Sequence, residues 1–183
     1  MSLSMRLTLA LSAALLMPAA VMAATPHCAF PGAREIPAAS LYITDSTAFD
    51  SYRFVWIEDI SFNNPESLSQ QEQGTLRKLI RSAIEQEWLE RLGWRSANAP
   101  GDAVASLSIN VEDLTTDTGQ LHLHTRLRDS VSGEQLMAQC DAELALDSEH
   151  YRHTTATSLA WNGLRQQVSH WGAGLGSHLM TVY

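Results

Sequence analysis

The period of the hydrophobic positions changes along the chain, and each change marks an element. Leu76, Leu79, Ile80, Ala83, Ile84, Trp88 and Leu92 recur at three- and four-residue spacing, which predicts an amphipathic helix with one apolar face. Ser69-Gln70-Gln71-Glu72 reads as a capping box at its start, and Gly93 as its C-terminal stop, with Trp94 folding back onto the last turn. Arg77, Lys78 and Arg81 are expected on the opposite, solvated face. Upstream, Tyr52 to Ile60 predicts a strand. Its continuous apolar run Phe54-Val55-Trp56-Ile57 is the pattern of a strand covered on much of both faces, ended by Asn63-Asn64-Pro65.

Past Ala99-Pro100-Gly101-Asp102 the period falls to two, and a three-strand meander follows. Leu107, Ile109 and Val111 alternate with Ser106, Ser108, Asn110 and Glu112; Leu121, Leu123 and Leu127 alternate with His122, His124, Arg126 and Arg128. In the third strand Leu136, Ala138, Cys140, Ala142, Leu144 and Leu146 alternate with Met137, Gln139, Asp141 and Glu143, which puts Cys140 on the apolar face. Residues 115–119 and Asp129-Ser130-Val131-Ser132-Gly133-Glu134 supply the turns. A second amphipathic helix is expected from about Thr154 to Val182, with Ala160, Trp161, Leu164, Val168, Trp171, Leu175 and Leu179 on one stripe. Gly163, Gly172, Gly174 and Gly176 weaken it, each helix-interior Gly costing ~1 kcal/mol relative to Ala, for which close packing on the sheet or a frayed end accounts. The fold expected is α+β: a single β-α-β-β-β-α domain over residues 51–183, a mixed sheet with both helices on its apolar face.

The beginning of the chain changes where this domain is expected to work. Arg6 precedes an apolar run from Leu7 to Val21, and Val21-Met22-Ala23 offers small residues for a signal peptidase, so residues 1–23 read as a signal peptide. The run is short for a span of ~20 residues, and no membrane-crossing segment is expected after cleavage. Residues 24–50, with Pro26, Pro31, Gly32 and Pro37, read as an extended N-terminal arm in which Leu41 to Thr44 could form a short edge strand. Removing residues 1–23 takes Lys+Arg from 12 to 11 against 20 Asp+Glu, a net charge of -9. That balance excludes a nucleic-acid partner by electrostatics. It also disfavours anionic lipid surfaces.

An oxidising compartment favours joining the chain's two cysteines, Cys28 and Cys140; the alternative is two free thiols. Thr25-Pro26-His27 before Cys28 is unlike a lipobox, so a periplasmic protein free of its signal is expected rather than a lipoprotein. His27 as third residue of a new N-terminus would suit copper or nickel, but Pro26 has no backbone N–H to act as a ligand.

Candidate chemistry is sparse. Asp117-Thr118-Gly119 spells an aspartic-protease triplet, but that reaction needs a second carboxylate at close range and the chain has no second triplet. Gly172-Ala173-Gly174-Leu175-Gly176 lies late in a helical pattern, where no phosphate cradle forms. His122-x-His124 places two imidazoles on one strand face about 6.6–7 Å apart at Cα, and Glu112, Asp141 or Glu143 could add a carboxylate to make a zinc or copper site. The plainer reading is that both histidines face solvent and pair with acids across strands. His150 and His153 form a second, weaker pair.

The strand Tyr52-Arg53-Phe54-Val55-Trp56, the helix ending Leu92-Gly93-Trp94, the segment Leu127 to Leu136 and the helix through Trp161 and Leu164 together resemble a family of bacterial envelope proteins, a domain of unknown function often carried on lipoproteins. The resemblance spans most of residues 50–180. It implies an exported α+β fold, carries no catalytic residues across, and departs in the missing lipobox. The function expected is therefore that of a non-catalytic periplasmic protein with no cofactor, binding a protein or other envelope component through the polar sheet face of His122, His124, Arg126, Arg128, Asp141 and Glu143. The competing class is a metal-binding protein or metal-dependent hydrolase built on His122 and His124.

Overall fold

A computed structural model describes residues 28–115, 120–145 and 158–180. The signal segment, His27, Asp117-Thr118-Gly119, Leu146, His150 and His153 lie outside the described residues, as do the side chains of Asp141, Ala160 and Trp161. The strands are β1 (Arg34–Ile36), β2 (Leu41–Ile43), β3 (Phe54–Phe62), β4 (Arg95–Ser96), β5 (Val104–Thr115), β6 (Gln120–Asp129) and β7 (Gln135–Ala145). The helices are α1 (Gln70–Leu92) and α2 (Ser158–Met180). One seven-stranded mixed sheet results, in the order β1-β2-β7-β6-β5-β3-β4. β3 runs parallel to β4 and β5, and the other pairs are antiparallel. The α+β architecture and the meander β5-β6-β7 are as the sequence predicts.

The start of α1 follows from its sequence. Glu72 N–H donates to Ser69 Oγ while the Glu72 carboxylate accepts from Ser69 N–H at 2.8 Å, so both arms of the capping box are made. The Ser69 hydroxyl, and behind it the Ser69 N–H, hold the Glu72 carboxyl below its usual range. Gly93 ends the helix at φ 68°, and Trp94 turns back to meet Trp88 edge-on, ring centroids 5.8 Å apart. Leu76, Ile80, Ile84 and Trp88 are buried against Val55, Ile57, Ile60, Leu107, Ile109, Leu121, Leu123 and Leu127. From α2, Leu164, Val168, Trp171, Leu175 and Leu179 join the same core, so both helices cover one face.

Four expectations change. The first concerns β3, which alternates rather than being covered on both faces: Val55 and Ile57 are buried, whereas Phe54 keeps 37% of its surface exposed and Trp56 is partly exposed. Next, Arg77 and Arg81 do not simply point into solvent. Arg77 Nε donates to Ile60 O at 3.0 Å with its guanidinium over the Phe62 ring, and Arg81 donates to Ile57 O at 3.1 Å. The N-terminal arm does more than lie over the domain, because Leu41, Tyr42 and Ile43 are all buried and pair with β7, while β1 adds a further strand outside β2. β2 is therefore one strand in from the edge. Finally, two of the α2 glycines, Gly172 and Gly176, serve the contact with α1, not the sheet. A Cβ on Gly172 would lie 3.6 Å from the Ala83 backbone, and one on Gly176 would lie 3.4 Å from Trp88; Trp88 Nε1 donates to Gly172 O at 3.3 Å across this approach.

The β6–β7 turn is a structural knot. Asp129 accepts from Val131 N–H at 3.0 Å, Ser132 N–H at 2.6 Å and the Tyr52 hydroxyl at 2.8 Å. Gly133 takes φ 74°, and Ser130 Oγ ties the turn to Gly101 at 3.0 Å. The Ser132 N–H above all, opposed by partial burial and helped by Tyr52 and Val131, holds the Asp129 carboxyl below its usual range. Burial first, then Asp129, push the Tyr52 hydroxyl up, so the phenol stays a donor.

Two outcomes follow. Gly174 has open space at its Cβ position, so Gly174→Ala should stabilise the protein by ~0.5–1 kcal/mol in urea unfolding, whereas Gly172→Leu should destabilise it by overpacking against Ala83. Because the Asp129 pKa is depressed on folding, its contribution is present above the ordinary carboxylate value of ~3.9 and lost as pH falls through the folded value. The stability gap between wild type and Asp129→Asn should thus be constant near neutrality and close below about pH 4; a gap independent of pH would contradict this.

Candidate functional site

The sheet face away from the helices is where the predicted site residues meet, and a bulge in β7 decides which of them do. Thr125 faces Gln139 and Leu123 faces Ala142, so β7 advances three residues while β6 advances two. Before the bulge Met137 and Gln139 face the helices; after it Ala142 and Leu144 do. Gln139 is held there by the Trp171 indole N–H at 2.8 Å and itself donates to Ala39 O at 2.9 Å. Cys140 consequently lies on the opposite face, which corrects its expected place on the helix-covered side. An alternation read from sequence carries no sign of the inserted residue.

On that opposite face Cys140, 6% exposed, is bonded to Cys28, 3% exposed, with Cα atoms 6.0 Å apart, well inside the range a disulfide accepts. Tyr42 and Ala138 complete a small apolar cluster with them, and Phe30 and Ala33 pack against it. The arm thus crosses the open face beside β7, tied by a covalent bond and by the β2–β7 pairing.

Beyond the arm the open face belongs mainly to β6. His122 stands opposite Glu143, His124 opposite Asn110, Arg126 between Ser108 and Ala138, and Arg128 between Ser106 and Gln135. Arg126 is exposed; His122, His124 and Arg128 are half-buried. Register continues the Arg128 row through Ser106 to Trp56, with Phe54 and Val104 in the next row, so an aromatic corner adjoins the cationic strand. The apolar run through Phe54 and Trp56 predicts a strand covered on both sides, and only the one-sided packing of β3 reveals them here. Asp141 shares the bulge with Cys140.

His124 pairs with an acid, as alternation across strands predicts. Its Nε2 lies 3.1 Å from Glu112 Oε2, an ion pair when the imidazole is protonated. A second neighbour was not foreseen: the Cys28 and Cys140 sulfurs and a ring nitrogen of His124 all lie within 4.8 Å of one another. Among the described residues this is the group of His, Cys, Asp and Glu with ligand atoms close enough for a metal, and His122 is not part of it. The signal that could have found it is the adjacent apolar pair Leu136-Met137, which leaves the phase of β7 open to either reading.

No protein-family profile matches the chain, and no curated protein matches it. Among solved structures it is similar to an uncharacterised protein, at 14% identity and a TM-score of 0.48 over 69% of this chain and 91% of that one. It is also similar to the PelC dodecamer from Paraburkholderia phytofirmans, at 13% identity and a TM-score of 0.42 over 67% of this chain and 86% of that one. A single-substitution variant of that dodecamer gives 14% identity and a TM-score of 0.41. Among the described residues of this chain no helix is long and apolar enough to cross a membrane.

The disulfide closes a span of 112 residues, for which the chain-entropy relation gives about 4–5 kcal/mol as an upper figure. Cys28→Ser and Cys140→Ser should each lower unfolding stability by up to that amount, and the double variant by no more than either alone. Additive losses in urea unfolding would show that the cysteines act separately.

Proposed function

We propose that this is an exported, periplasmic, non-catalytic protein of the bacterial envelope, which binds a partner protein through the open face of its sheet. The observation that carries the reading is the one-sidedness of the fold. Both helices cover one face, while the other presents exposed Arg126, half-buried Arg128, His122 and His124, and the Phe54–Trp56 corner. Aromatic and Arg side chains are the types that dominate binding energy at protein interfaces. A row of cationic and titratable groups within a chain of net charge -8 favours a partner with an acidic patch. The disulfide and the signal-like residues 1–23 support export.

The test is site-specific photocrosslinking in cells. A photoreactive residue at Arg126 should capture a discrete protein adduct that one at Lys78, exposed on α1, does not, and Arg128→Ala should reduce its yield severalfold. Identical adducts from both positions, or capture of lipid or glycan in place of protein, would overturn the reading.

A further inference from the structure

Beyond partner binding, and independently of it, the arm, the β7 bulge and β6 bring together a metal-ligand set that the disulfide masks. We propose that reduction of Cys28–Cys140 converts this corner into a binding site for one thiophilic cation of the zinc type, held by the two thiolates and His124, with Glu112 orienting the imidazole.

Geometry is the first support. A tetrahedral zinc ion with bonds of ~2.3 Å to sulfur and ~2.0–2.1 Å to nitrogen needs ligand atoms roughly 3.5–3.8 Å apart. The sulfurs and a His124 nitrogen already lie within 4.8 Å of one another. On reduction the sulfurs must separate from bonding distance, and the movement falls on Cys28, which sits on the arm; Cys140 belongs to β7, between β2 and β6, and its N–H donates to Ser40 O at 3.0 Å. Surroundings are the second. Glu112 Oε2, 3.1 Å from His124 Nε2, supplies the carboxylate–histidine pairing that fixes ring orientation and raises ligand basicity in metal sites. The cysteines are buried, whereas the His124 side chain keeps 25% of its surface exposed, which gives a cation a way in and a water molecule room in the fourth position.

The chemistry balances with a dithiol as reductant. Its two thiols become a disulfide, two electrons pass to the Cys28–Cys140 bond, and the two protons end on the Cys28 and Cys140 sulfurs. Binding the dication then releases both protons to solvent. Zinc suits this set because two thiolates and one imidazole are its characteristic donors, and the thiolate charges offset that of the ion. The site is thus open to metal only when the disulfide is not.

The experiment titrates the purified protein with zinc against a chromophoric chelator, and with cobalt as a spectroscopic probe, before and after reduction by a phosphine. The reduced protein should take up one ion per chain and show a thiolate-to-cobalt charge-transfer band, and the oxidised protein should show neither. His124→Ala should weaken zinc binding at least tenfold, Glu112→Gln by about tenfold, and His122→Ala should leave it unchanged. Should reduction loosen the fold, zinc is expected to restore the near-ultraviolet dichroism of the tryptophans, and failure to restore it overturns the proposal. So does the absence of stoichiometric uptake by reduced protein, equal uptake by oxidised protein, or binding undiminished by His124→Ala.

Discussion

The residue inserted in β7 between Gln139 and Ala142 is the constraint on which the arrangement depends. β7 lies in the interior of the sheet, with β6 on one side and β2 on the other, so a change of phase within it is transmitted to both neighbours. Were the strand regular from Met137 onward, the side chains opposite Leu121 and Leu123 would be polar, and the core under α2 would lose its floor. The bulge restores Ala142 and Leu144 to that floor and leaves Ala138 and Cys140 on the far side. That placement lets the N-terminal arm be fastened at all, since a cysteine beneath the helices could not be reached from the open face.

Fastening then acts at two levels. Backbone pairing of β2 with β7 sets the register of the arm, with Leu41 opposite Gln139 and Ile43 opposite Met137. The covalent bond holds the part of the arm that has no strand partner. Between them, Gln139 joins arm, strand and helix through Ala39 and Trp171. A buried amide with both ends satisfied fixes relative positions in a way that apolar contacts do not. At the other end of the sheet Asp129 does the same for the β6–β7 turn and Tyr52.

Much of this was legible in the sequence because it is periodic and local. The capping box at Ser69, the stop at Gly93, the core stripe of α1 and the phase of β5 and β6 follow from spacing alone, and the Cys28–Cys140 pairing from the chain's having only two cysteines, together with the export expected from residues 1–23. What stayed hidden depends on insertion or on distance. The β7 bulge breaks a period without a distinctive residue, so alternation alone places Cys140 on the wrong face and hides its nearness to His124. The one-sided packing of Phe54 and Trp56 could not be told from burial, because apolar residues on both faces of a strand look alike whether or not the second face is covered. The role of Gly172 and Gly176 depends on α1, from which they are distant in sequence.

The contacts of Arg77 and Arg81 bear on how the molecule behaves among its own copies. β3 outruns its two-residue partner β4, and past Val55 its outer side has no further strand beside it among the described residues. Such a row of carbonyls is a template on which a stray extended chain can add itself. Two guanidinium groups from α1 already occupy the Ile57 and Ile60 carbonyls and set positive charge along that margin. At the other margin β1 is three residues long, too short to offer an extended template. Among the described residues both margins of the sheet are thereby poor templates for a further strand, and a broad face away from the helices need not make the edges polymerise.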